Sequence, residues 1–516
     1  MPALVPATER ADRRRAHWRA AGIGAVAGGL VLSSFAPLGL VPLAWVGVAV
    51  LLLAWRASTL FDAWLSGIAF NVVVMLLGGY WFIASLLRLG SFPVAAVLAV
   101  SALYLCYQSA MVALVPWIAR RVWPRSDALA FLALVPALWT LEEAFRTFMA
   151  LGWFSIGYGQ VGGPLAGIAP YLGIGGVNFA TVLAGGLVAL TWSRRGQRGW
   201  IPALGLVVLA GAAWGAGRVE WTHPDGAPVR VALVQGNLPH DTEWDFEVLH
   251  TVLDIYSDLS AEREQQGHPA LIVWPETAAP IPYQKIQPFI DQLAEHSRAS
   301  GTEFVLGTQS RVGQGLDADY YNIALHPGAT MEEYRKRQLV PLGEALPPLL
   351  FSPATRRRLK ADAIAMFSPG DARQTPIRIH GQPIEVAICF ESLFGNMLRR
   401  MPADTAYLVM ITNDELFMGT PMPDQHLQVA RMRAIELQRD VARASNSGIS
   451  AFIRAGGEVT GRTKRQVRTT LDGSVQPRVG STPYMDIGDA GALALAALVL
   501  ALTLGWRRTG GGRPVL

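Results

Sequence analysis

Long apolar runs dominate residues 1–219, broken by short arginine-rich clusters, and a last apolar run covers 487–506. Between them, residues 220–486 mix strand-like and helix-like spacing with ordinary polar loops. The apolar runs predict spans at 18–36, 39–55, 60–82, 92–118, 127–150, 164–193, 199–218 and 487–506. Each is near or above the roughly 20 residues that cross a bilayer as a helix. Pro37 and Gly39 leave only a tight turn between the first two. Arg10, Arg13, Arg14 and Arg15 would also suit a signal peptide, but no small-residue cleavage site follows, so a retained helix is expected. The predicted organisation is a membrane domain of about seven helices at 1–219, an inserted domain at 220–486, and a final span and tail at 487–516.

Within the inserted domain, Val229–Gln235, Ala270–Trp274, Phe304–Thr308, Tyr321–His326, Ile384–Phe390, Tyr407–Thr412 and Gly448–Ile453 read as strands. Residues 245–265, 285–299 and 424–444 read as helices. Alternation of this kind predicts an α/β domain with buried sheets. Residues 455–486 show no clear period and are expected to be turns on the way back to the membrane.

Charge sets the orientation. Only 16% of residues are charged against 51% hydrophobic. The arginines at 10–15, 56, 120, 121, 125, 194, 195, 198, 507, 508 and 513 all fall on one side if every span crosses. Arg88 and Arg146 are nearly all that the other side receives. Positive loops stay inside, so both termini are expected in the cytoplasm and residues 220–486 in a periplasm-like space. These arginines explain most of the +5 net charge, and no basic, aromatic-interleaved patch calls for nucleic acid.

The chain has two cysteines. Cys106 falls in a span and is expected to be a small packing residue, while Cys389 ends an apolar strand in the inserted domain. An unpaired thiol in an oxidising space is a liability, which strengthens the case for Cys389 as a nucleophile, with a buried structural Cys as the alternative. Glu276 follows the Ala270–Trp274 run and Pro275, placed as a general base or as a turn carboxylate. Lys336, within Tyr334-Arg335-Lys336-Arg337, could stabilise an oxyanion and lower a thiol pKa, or belong to a solvated basic run. Glu391 could orient Lys336 or open a helix. Asn413 and Asp414 suit a turn after a strand. Within the spans, Glu142, Glu143 and Arg146 are unusual, with a helical ion pair preferred over a functional role. No histidines cluster as metal ligands.

Taken together, Trp274-Pro275-Glu276, Tyr334-x-Lys336 and Cys389-Phe390-Glu391 resemble the nitrilase (carbon–nitrogen hydrolase) superfamily. The membrane frame and the stretch Leu339-Val340-Pro341-Leu342-Gly343-Glu344 narrow the resemblance to the apolipoprotein N-acyltransferase family. Phe35-Ala36-Pro37, Trp153, Gln160, Gln425-His426 and Ser445-Asn446-Ser447 fit it too. Leu416 and Met418 depart from it, standing where that family usually has Trp and Gly. The resemblance implies a polytopic α-helical membrane domain plus an inserted nitrilase-like α-β-β-α sandwich. It implies a catalytic set of Glu276, Lys336 and Cys389, supported by Phe390, Glu391 and Glu344, with Trp244 and Asn413 at the substrate.

The implied activity is a ping-pong acyl transfer through a Cys389 thioester, without metal or cofactor. A phospholipid is the donor, and the α-amino group of a diacylated apolipoprotein is the acceptor. The implied setting is a bacterial inner membrane, with nothing that requires more than a monomer. A membrane-tethered amidase using water as acceptor and a non-catalytic membrane scaffold are the alternatives.

Overall fold

In a computed structural model of the chain, the described residues are 7–509 without 91–92, 150–151, 195–197, 240–245, 316–317, 342 and 346–366. They form two compact units. One holds residues up to Val219, Thr420–Gln428 and those from Pro483 on; the other holds Glu220–Gly419 and Val429–Thr482.

In the first unit, five helices among the described residues are long and apolar enough to cross a membrane. These are Leu60–Gly78, Val94–Arg121, Asp127–Phe148, Pro164–Ser193 and Asp489–Trp506. Pro42–Trp55 and Trp200–Ala216 are shorter apolar helices. Leu103, Val207 and Leu502 stand exposed on this unit, a surface suited to hydrocarbon rather than water. The expected span at 60–82 stops short: the helix ends by Gly78, and a separate helix runs from Trp81 to Arg88. Cys106 is exposed, not packed inside, because its position faces outward on Val94–Arg121.

The unusual charges form a buried network. Arg146 Nε lies 2.6 Å from Glu142 Oε1, and Arg146 Nη2 lies 3.6 Å from Glu143 Oε1. Glu143 also accepts from Trp139 Nε1, Ser155 Oγ and Ile156 N–H at 2.7–3.0 Å. That satisfaction of each oxygen is what makes charge tolerable there. The helix Pro164–Ser193 turns at Gly173, which has φ +60 and whose Cβ would lie 2.3 Å from the Tyr484 ring. Only glycine fits that backbone and that contact. Gln425 ties its segment into this unit. Its Oε1 accepts from Trp81 and Trp153 Nε1 at 3.2 and 2.9 Å, and its Nε2 donates to Gly78 O.

The second unit contains two six-stranded sheets and a small two-stranded one. Strand β1 is Thr222–Pro224. The first large sheet is ordered β13-β2-β3-β4-β5-β6, with β2 Val229–Gln235, β3 Leu271–Val273, β4 Glu303–Val312, β5 Asp319–Pro327, β6 Met331–Arg335 and β13 Thr469–Val475. The other is ordered β12-β11-β10-β9-β8-β7, with β7 Ile377–Ile379, β8 Gln382–Ile388, β9 Leu408–Thr412, β10 Val441–Ser445, β11 Ala451–Ile453 and β12 Val459–Arg462. Strands β2, β3 and β4 are parallel neighbours, as are β8, β9 and β10.

Period-two side chains explain the layering. Val231, Leu233, Leu271 and Val273 pack inward with Ile384, Val386, Ile388, Val409 and Ile411 of the facing sheet. Their neighbours Ala232, Val234, Ile272 and Trp274 face the other way, onto Leu249, Leu253, Tyr256 and Ile290 of the covering helices Phe246–Gly267 and Gln287–Ser300. Both faces are buried, which is why these strands read as nearly unbroken apolar runs. The helix Met422–Leu437 connects the parallel pair β9 and β10. The fold is therefore a polytopic helical membrane domain with an inserted α-β-β-α sandwich.

Two sequence expectations fail here. The helix expected to 444 ends at Leu437, and Val441–Ser445 is the strand β10. Gln438 takes φ +44 and turns the chain, a conformation that helical periodicity in the preceding residues does not announce. Residues 455–486, expected to be turns, supply β12, β13 and β14 (Arg478–Gly480). Strand β13 pairs antiparallel with β2 over its whole length, so it owes its conformation to a partner more than two hundred residues earlier.

Arg439 fastens this return path. Buried, with no carboxylate bonded to its guanidinium among the described residues, it donates to the carbonyls of Thr405, Leu437, Gln438, Ala403 and Gly480. Removing it leaves buried carbonyls without donors. Arg439→Ala is expected to destabilise the fold by about 3 kcal/mol, seen as a lower melting temperature of the detergent-solubilised chain.

Candidate active site

The site begins where parallel strands end. Val273 closes β3, and Trp274-Pro275 carries the chain into Glu276, with Thr277 at φ +55. Cys389 follows β8 directly at φ +52 and opens a short 3₁₀ turn to Leu393. A non-glycine residue held in the left-handed region stores strain that the surrounding structure must enforce. The open ends of parallel strands are where α/β sheets gather functional side chains.

Lys336, the first residue past β6, is 1% exposed. Its Nζ donates to Glu276 Oε1 at 3.0 Å and to Glu344 Oε1 at 2.8 Å. Asn322 Nδ2 donates to the same two oxygens at 2.8 and 2.9 Å. Glu276 Oε2 accepts from the Asn413 N–H at 2.9 Å. Glu344 Oε2 accepts from Val340 N–H at 2.8 Å, so its carboxylate closes its own loop while facing Lys336. Burial alone would pull the Lys336 pKa down; Glu276, Glu344 and Cys389 overcome it and hold the ammonium above the usual lysine range. Burial pushes the Cys389 thiol well up, with Glu276, Asp414 and Glu344 adding to the rise and Lys336 opposing it. Burial and the neighbouring carboxylates therefore favour the thiol over the thiolate at Cys389.

Glu391, expected to orient Lys336, instead bonds Tyr334 and backbone N–H groups, while Lys336 Nζ bonds Glu276 and Glu344. Glu391 is fully buried. Oε2 accepts from Ile388 N–H at 2.8 Å, and Oε1 accepts from Arg337 N–H at 2.6 Å and Gln338 N–H at 3.2 Å. Tyr334 OH adds a bond at 2.9 Å. Phe390 is partly exposed, its ring edge-on to Phe394 at 5.2 Å. Asn413 sits beside Glu276 and also donates from Nδ2 to Thr277 Oγ1 at 2.7 Å. Trp244 lies outside the described residues. Asp414, expected as a turn residue, is instead buried and paired with Arg443 at 3.0 Å.

Asn322 and Gly307 went unnoticed in the sequence. Asn322 is the one amide inside the apolar β5 run, a signal that was available. Gly307 carried none: a Cβ there would lie 2.3 Å from Pro275 O and 2.5 Å from Glu276 Cα, so its bareness lets the Glu276 turn close onto β4.

Two family models cover most of the chain. Residues 27–187 match the apolipoprotein N-acyltransferase N-terminal domain, and residues 230–484 match carbon-nitrogen hydrolase. A curated apolipoprotein N-acyltransferase of Methylococcus capsulatus is 34% identical, covering 94% of this chain and 96% of that protein. Those of Nitrosomonas europaea and Azotobacter vinelandii are 35% and 34% identical, over 91% and 95% of this chain and 94% and 95% of their own. The chain belongs to the apolipoprotein N-acyltransferase family. Family membership agrees with the resemblance drawn from Glu276, Lys336, Cys389 and the membrane frame.

Two outcomes test the site's geometry and charge. Gly307→Ala is expected to leave the chain folded but lower acyl-transfer turnover about tenfold or more, measured with purified protein. In a Cys106→Ser background, iodoacetamide should label Cys389 faster as pH rises through its elevated pKa. At a fixed pH, Lys336→Met should slow labelling and Glu276→Gln should speed it, because the ammonium lowers the thiol pKa and the carboxylate raises it.

Proposed function

We propose that this membrane-embedded acyltransferase moves a fatty acyl chain from a phospholipid to the N-terminal α-amino group of a diacylglyceryl-cysteine apolipoprotein. The observation that carries the reading is Lys336, buried and bonded to both Glu276 and Glu344 within electrostatic reach of Cys389. The names of the family's curated members supply the substrate class.

Glu276 takes the thiol proton and the thiolate attacks the phospholipid ester carbonyl. Lys336, with backbone N–H near Phe390, stabilises the oxyanion; one such donor is worth about 3 kcal/mol of barrier. Collapse breaks the ester C–O bond, Glu276 returns the proton to the departing alkoxide, and a lysophospholipid leaves a thioester on Cys389. The lipoprotein amine then attacks the thioester carbonyl and gives a proton to Glu276. The C–S bond breaks, the amide departs, and the thiolate is reprotonated. Glu344 and Asn322 hold Lys336 and Glu276 in register, and Asn413 fixes the second oxygen of Glu276.

Both substrates carry acyl chains and partition into the bilayer, so the membrane selects them before any specific contact. The arginine distribution supports a reading in which the termini are cytoplasmic and the inserted domain stands at the outer face of the inner membrane. Residues 220–486 form the catalytic domain in this reading, and a single chain supplies every reacting group.

Labelled phospholipid and a diacylated lipopeptide, incubated with the purified chain, should yield labelled triacylated peptide. Mass spectrometry should find an acyl adduct on Cys389, and Cys389→Ser should lose both. Release of free fatty acid without peptide labelling would instead make the chain a hydrolase. Normal transfer by Cys389→Ser would remove the thioester altogether.

A further inference from the structure

Lys336 and Cys389 come from different sheets. Lys336 follows β6 of the first, and Cys389 follows β8 of the second. The packing between the sheets is apolar. Hydrophobic contact is non-directional, so it does not by itself fix the two groups to the fraction of an ångström that chemistry requires. A directional link between the two sheet ends is needed, and Arg337 provides one.

Neighbouring residues of an extended chain point to opposite sides. Lys336 turns to Glu276 and Glu344; Arg337 turns to β8. Arg337 Nη2 donates to Glu385 Oε1 at 2.7 Å, and its Nε donates to Tyr334 OH at 2.8 Å. The Tyr334 hydroxyl in turn donates to Glu391. The pair is largely shielded from water, with the Arg337 and Glu385 side chains 11% and 12% exposed. Glu385 lies on β8, four residues before Cys389, so one ion pair joins the residue after the ammonium to the strand that delivers the thiol.

We infer that Arg337 and Glu385 are positioning residues, a second buried charge cluster that sets the distance between Lys336 and Cys389. This rests on the catalytic reading of Lys336 and Cys389 given above. Burial of Glu385 is costly and pushes its pKa up to about 7 against the pull of Arg337. An apolar pair could replace such a bridge without loss of stability, but not with the same directionality. The groups facing Glu385 are Arg337 past β6, Tyr334 on β6 and Glu391 on the turn after β8.

The test uses full-length Arg337→Gln, Glu385→Gln and the double variant, purified in detergent. Three quantities are read: the single-turnover rate of Cys389 acylation from phospholipid, the KM for phospholipid, and the melting temperature. Each single variant is expected to lower the acylation rate per folded molecule about tenfold or more, with KM unchanged. The double variant should lose no more than the worse single, since one link is broken in all three. Arg337→Lys, which keeps the charge but not the fork, should recover part of the rate. Wild-type acylation per folded molecule, or a loss tracking only the folded fraction, overturns the assignment. Cys389→Ser separates the two levels. If it still transfers, the catalytic reading fails; if it is inactive while the Arg337 and Glu385 variants acylate normally, only the positioning role fails.

Discussion

One buried ammonium organises the charges at the strand ends of the sandwich. Lys336 faces two carboxylates and a thiol, and among the described residues it is the only cation hydrogen-bonded to Glu276. Two negative groups that close would repel each other strongly in a low-dielectric interior, and burial would neutralise one of them. The ammonium lets both stay near Cys389, so that, in the proposed mechanism, a base and an oxyanion partner share one small volume. The same charge that organises the carboxylates would meet the developing negative oxygen of the substrate. Preorganised charge of this kind needs no rearrangement at the moment of reaction.

Supporting contacts extend outward in order. Asn322 bridges Glu276 and Glu344 from the neighbouring strand. Glu391 gathers backbone N–H groups on both sides of the gap between the sheets, beside Cys389 and just past Lys336. Arg337 and Glu385 repeat the theme with side chains. Backbone strain is part of the same arrangement: Thr277 and Cys389 occupy left-handed conformations that only a surrounding of satisfied hydrogen bonds can hold.

The membrane unit solves the opposite problem. Its surface is apolar where lipid would lie, and its few buried charges are paired. Glu142, Glu143 and Arg146 form such a set, with Glu143 further satisfied by Trp139, Ser155 and the Ile156 N–H. Gln425 performs a smaller version of the task, binding two indoles and one carbonyl. These residues fix the unit internally, which is the role expected for Glu142, Glu143 and Arg146 from their helical spacing.

Much of this was legible in the chain. Apolar runs announce the membrane helices because a bilayer imposes length and composition locally, residue by residue. Strands β2, β3, β8 and β9 were legible because sheets buried on both faces demand continuous apolar segments. Glu276, Lys336 and Cys389 stood out through their short motifs. What the chain did not reveal were features made by partners distant in sequence. Strand β13 exists through β2, β10 begins where Gln438 turns the backbone, and Gly307 matters only because Pro275 comes to rest against it. Asp414 reads locally as a turn residue, and only the fold sets Arg443 beside it. Local periodicity reports what one segment prefers alone; burial, pairing and charge compensation depend on which segments meet, and that is decided in three dimensions.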